Sequence, residues 1–110
     1  MEQDISPFKA LDFIRDNAPS YAAAKANVIY MTEYRKSLKA MLMTKCRDET
    51  IGAQERFAYA HQEYREHLMA LSEAVAEAER LRWLMVAAEA KIEVWRSLES
   101  SARAEGRSTT

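Results

Sequence analysis

The chain of 110 residues has very little that bends or breaks a backbone: two glycines, Gly52 and Gly106, and two prolines, Pro7 and Pro19. A sheet protein of this size needs several tight turns with Gly, Asn or Asp at positive φ, so this scarcity argues against an all-β fold. Between positions 53 and 105 there is neither Gly nor Pro, and Ala, Glu, Leu, Arg and Met dominate, all of them strong helix formers. Cysteine is nearly absent too. Cys46 stands alone, which excludes an internal disulfide and a thiolate-built zinc centre. No apolar run approaches membrane-spanning length. The opening Met1-Glu2-Gln3-Asp4 is acidic and is followed by no apolar stretch, so no secretory signal is expected and a reducing cytoplasm is the expected compartment.

What is present is a hydrophobic content of 48%, enough to bury a core, and a net charge of −1 that gives no global argument for nucleic acid. The charge is unevenly distributed. Residues 21–47 carry Lys25, Arg35, Lys36, Lys39, Lys45 and Arg47 against Glu33 alone, whereas residues 48–79 carry eight acidic groups and two basic ones. A basic segment followed by an acidic one suits two helices lying side by side, or a basic face for an external polyanion.

Helical punctuation and apolar spacing predict an all-α protein: a long helical hairpin or coiled coil with a short N-terminal helix, oligomeric, in a single domain over 1–110. Ser6 before Pro7 reads as an N-cap with proline at the first helical position. Phe8, Leu11 and Ile14 form one face of a short helix over 7–17, which Pro19 is expected to end. A second helix over 20–46 carries the stripe Tyr21, Ala24, Val28, Met31, Leu38 and Leu42, interrupted by Arg35. It would be roughly 40 Å long. The segment 47–52 is the connector. A third helical region over 53–102 shows Tyr64, Leu68, Leu71, Val75 and Ala78, then Leu81, Met85, Ala88, Ile92 and Trp95, with an offset between the two runs that resembles a stammer. It would span roughly 75 Å, more than the second helix could cover, so either it kinks near His61 or its far half pairs with a second copy. Apolar residues wrap most of the helix over 81–95, and a helix apolar all round is buried on more than one side. Leu81, Trp83, Leu84, Met85, Ile92 and Trp95 are therefore the expected core and oligomer contacts, with a homodimer favoured. Residues 103–110 form a flexible tail.

Chemistry-bearing constellations are weak. His61 and His67 are six apart, and only Glu63 shares a helical face with His67, so no metal site and no cofactor are expected. Cys46 between Lys45 and Arg47 stands at a helix C-terminus, where the dipole disfavours a thiolate, and no histidine adjoins it. There is no glycine-rich phosphate loop, and no catalytic residue is assigned; the expectation is a non-enzymatic protein. Two binding surfaces remain. One consists of the carboxylates Glu63, Glu66 and Glu73 with an arginine stripe, Arg96, Arg103 and Arg107, as contacts for a protein partner. The other consists of Lys25, Arg35, Lys36, Lys39 and Tyr34, where cations beside aromatic rings suit nucleic acid, single- or double-stranded, with the arginine tail extending the footprint.

The run Ala53-Gln54-Glu55-Arg56-Phe57-Ala58-Tyr59-Ala60-His61-Gln62-Glu63-Tyr64 and the ending Ile92-Glu93-Val94-Trp95-Arg96-Ser97-Leu98-Glu99-Ser100-Ser101-Ala102-Arg103-Ala104-Glu105 resemble small helical proteins of tailed bacteriophages and prophages, a likeness covering roughly residues 10 to 107. The resemblance implies an early phage function in the host cytoplasm: binding a protein of DNA recombination or replication, or inhibiting a host defence factor.

Overall fold

Ser6 and Pro7 open the first helix. In the computed structural model, which describes residues 5–48 and 50–109, the Lys9 amide donates to the Ser6 hydroxyl at 3.2 Å. Three helices follow, and no strand occurs among the described residues: α1 (Pro7–Met43), α2 (Ile51–Ala60) and α3 (Gln62–Thr109). The protein is all-α and built as a helical hairpin.

The expected break at Pro19 is absent. α1 runs unbroken through Pro19, so the separate short helix over 7–17 and the second helix over 20–46 are one element. Proline has no N–H and leaves the Arg15 carbonyl without its bond, but Arg15 and Pro19 are both exposed, so water can satisfy that oxygen. One buried and half-buried seam runs the length of α1 in steps of four and three without interruption: Ala10, Ile14, Asn17, Tyr21, Ala24, Val28, Met31, Arg35, Leu38 and Leu42. The face of Phe8 and Leu11 is not the buried one. Phe8 and Leu11 are exposed, at 74% and 52%; of the expected three only Ile14 lies on the seam, and Ala10 joins it there.

The chain forms two compact units. In the unit spanning Ala22–Glu79, the later part of α1 packs with α2 and the start of α3. Leu42 (1% exposed) and Ala58 (0%) meet Leu38 and Tyr64 in its core, with Met43 against them. The connector lies earlier in the chain than expected, over 44–50. α1 ends at Met43, and α2 starts at Ile51, so Gly52 lies inside a helix rather than in the turn. Asp48 accepts from both the amide and the hydroxyl of Thr50, and the Thr50 hydroxyl accepts from the Ala53 amide, which caps α2. Glu49 of the connector lies outside the described residues. The helix over 53–102 is divided at His61, whose backbone turns extended at φ −67°, ψ 141°. His61 then caps α3: its Nδ1 accepts from the Glu63 amide at 3.1 Å, and its carbonyl accepts from Tyr64 and Arg65.

The seam of α3 also differs from the expected stripe. Tyr64, His67, Leu71, Ala74, Ala78, Leu81, Met85, Ala88, Ile92 and Trp95 are buried or half-buried and step by three and four throughout, with no stammer. Leu68 and Val75 are exposed, and His67 and Ala74 take the positions expected of them. In the other unit, the described residues up to Tyr21 belong with those from Arg80 onward. The far half of α3 is therefore faced by the first turns of α1 of the same chain, since α1 continues past Pro19. The tail expected to be flexible is helical to Thr109; Thr110 lies outside the described residues.

Candidate functional site

The unit that pairs the start of α1 with α3 has a groove of about 1050 Å³. Ala10 and Phe13 of α1 face Leu84, Ala87, Ala88 and Val94 of α3 across it, and Lys9 and Lys91 line it as well. Leu84, Ala87, Lys91, Val94 and Leu98 repeat the 3,4 spacing of the seam, three residues out of phase with Leu81, so they form a second row along the same helix. Leu84, Val94 and Leu98 of this row are all exposed. The ammonium groups of Lys9 and Lys91 make no ion pair among the described residues.

The six expected oligomer residues divide. Leu81 is buried, and Met85, Ile92 and Trp95 are half-buried, all on the seam within the chain, while Trp83 (58% exposed) and Leu84 are left outward with Val86, Val94 and Leu98. The arginine stripe keeps its common face because the helix persists: Arg103 lies two turns beyond Arg96 on α3, and Arg107 about one turn further. Arg96 is held by Glu93 at 3.2 Å, a pair exposed on both sides. The carboxylates belong to the other unit. Glu63 pairs with Lys45 at 3.4 Å, Glu66 accepts from Gln62 at 2.8 Å, and Glu73 is exposed.

The basic and aromatic residues do not form one surface. Tyr34 stacks on Tyr30, 5.9 Å between centroids, and lies 5.5 Å from the His67 ring. Arg35, Lys36 and Lys39 instead line a smaller pocket of about 370 Å³ with Tyr59 and Tyr64. Lys25 is exposed and takes no part in it. The Lys39 ammonium lies 4.8 Å over the Tyr59 ring and 3.4 Å from a Glu55 carboxylate oxygen. Hydrogen bonding with Tyr59, ahead of the pull of Glu55, raises the Lys39 pKa above its ordinary value against a smaller opposing effect of burial. Tyr64 is the pocket residue that sequence reasoning placed only in the seam; it lies in the acidic segment 48–79, and no signal in the sequence tied it to the basic residues of α1.

Neither histidine faces an open site: His61 caps α3, and a ring nitrogen of His67 lies 2.7 Å from the Met31 carbonyl. Cys46 is half-buried, with its sulfur 4.0 Å from the Ala53 carbonyl oxygen. Among the described residues no group of three or more His, Cys, Asp or Glu side chains could hold a metal ion, and no helix is long and apolar enough to cross a membrane.

Compared with protein-family models, curated proteins and solved structures, the chain matches none. The arrangement of its own residues is what the functional reading rests on.

Proposed function

We propose that the protein is a non-enzymatic interaction module that takes up an amphipathic, acidic helical segment of a partner protein. The observation that carries this reading is the groove: an apolar row at helical spacing on α3, opposite the first turns of α1, lined also by Lys9 and Lys91, whose ammonium groups make no ion pair among the described residues. Exposed apolar side chains in register on a helix suit a helix laid alongside them, because anchors at i, i+3 and i+7 then meet the row. Lys9 and Lys91 select the charge of the guest, since carboxylates beside the apolar anchors would pair with both ammonium groups. The phage resemblance makes a protein of DNA recombination or replication, or a host defence factor, the partner class, met in the host cytoplasm.

The test is a titration of the whole chain with a helical peptide bearing leucines at i, i+3 and i+7 and flanking glutamates, followed by fluorescence anisotropy. Saturable binding that weakens at least tenfold in the double variant K9E/K91E, and when the peptide glutamates become lysines, supports the reading. Light scattering of the protein alone decides against a second copy as occupant: a homodimer that V94D converts to monomer overturns the proposal, because the groove is then filled by the chain itself.

A further inference from the structure

We infer that the pocket formed by Arg35, Lys36, Lys39, Tyr59 and Tyr64 binds a phosphate group. It lies within the Ala22–Glu79 unit and does not depend on the groove. The argument begins with Arg35. It occupies a seam step, with Val28, Met31, Leu38 and Leu42 on the others, so its position calls for an apolar residue. It is half-buried there and makes no ion pair or hydrogen bond through its side chain among the described residues. A partly desolvated guanidinium without a counterion is unfavourable, and a bound anion removes that cost.

The neighbouring charges sharpen the case. Glu33 is engaged with Lys36 at 3.1 Å, and Glu55 with Lys39 at 3.4 Å. Three cations therefore meet two carboxylates, and the charge left over is on the residue whose planar fork best matches an oxyanion. The aromatic wall is already fixed in place, since Tyr59 meets Tyr64 edge-on at 5.2 Å and lies under Lys39. A volume of about 370 Å³ admits a phosphate with a small attached group. A carboxylate fills the fork of one arginine; a phosphate has oxygens enough for Arg35 and both lysines at once. The lysines need only exchange Glu33 and Glu55, and the Lys36–Glu33 pair is exposed on both sides and cheap to break.

The phosphate can come from a small phosphorylated molecule or from a nucleic-acid backbone, and one experiment separates them. The full chain is titrated with inorganic phosphate, then with a thymidine octanucleotide, at constant ionic strength set with chloride, while the Arg35 Nε–H signal and the Tyr59 amide are followed by NMR. Saturable shifts with phosphate, weakened at least tenfold in R35Q and in K36Q, are the expected result; K36Q changes an exposed position, so it keeps the test valid if R35Q disturbs the seam. Octanucleotide binding tighter than phosphate and lost in R35Q assigns the backbone as source. Saturation by phosphate but not by the octanucleotide assigns a small phosphorylated ligand. Shifts that chloride alone reproduces, or that persist unchanged in R35Q and K36Q, overturn the proposal.

Discussion

A ring nitrogen of His67 lies 2.7 Å from the carbonyl oxygen of Met31, joining α3 to α1 across 36 residues of chain. The oxygen can only accept, so the nitrogen that meets it, Nε2, carries the proton. Both residues stand on the seam, and the ring of Tyr34 tilts against that of His67.

His67→Ala should therefore lose both a hydrogen bond and a packed ring, destabilising the fold by about 1–2 kcal/mol in urea unfolding. His67→Leu keeps the apolar contact and should cost less than His67→Ala. Equal losses in the two variants would mean that the hydrogen bond alone matters at this position and the packed ring adds nothing.

Pro19→Ala should stabilise the protein by roughly 1–2 kcal/mol, because alanine restores the N–H to the Arg15 carbonyl while shedding the steric conflict inside α1. Thermal unfolding followed by circular dichroism checks this. A lower melting temperature would show that the proline is required where it stands.

Leu42 is the largest fully buried side chain, so Leu42→Ala should cost about 2–5 kcal/mol. Leu98→Ala, on the exposed second row of α3, should change stability by less than about 0.5 kcal/mol. Comparable losses at the two positions, measured in the isolated protein, would place Leu98 in a buried contact.

Thr50→Ala removes the cap of α2 and should cost about 1 kcal/mol. The loss should be local as well as global, with faster amide exchange at Ala53 and Gln54 than in the parent. Unchanged exchange at those two amides would show that Thr50 does not hold the helix start.

Much of the architecture is legible in the sequence. Ser6-Pro7 marks a helix start by capping chemistry, and the Tyr21 to Leu42 stripe names the buried face of α1 residue by residue. Local rules failed where packing overrode them. Proline disfavours a helix through the residue before it, yet Pro19 lies on the exposed side of α1, where the lost bond is solvated. Leu68 and Val75 outrank His67 and Ala74 in hydrophobicity, so a reading by apolarity places a stammer where the seam has none. The candidate sites were legible as residue types but not as groupings. Tyr34 and Arg35 are adjacent in sequence, yet on a helix neighbours point 100° apart: the ring of Tyr34 meets His67, and Arg35 lines a pocket with Tyr59 and Tyr64.

The interruption at His61 makes the two sides of that residue unequal in their tolerance of length change. α3 takes its register from its own first turn, capped by His61, so a residue gained or lost in the connector before α2 alters a loop and leaves the phase of the later helix alone. One residue inserted after Tyr64 would rotate every later seam position by about 100° and turn its apolar side outward. Related chains, if they vary in length, should do so upstream of this joint and hold their spacing downstream of it.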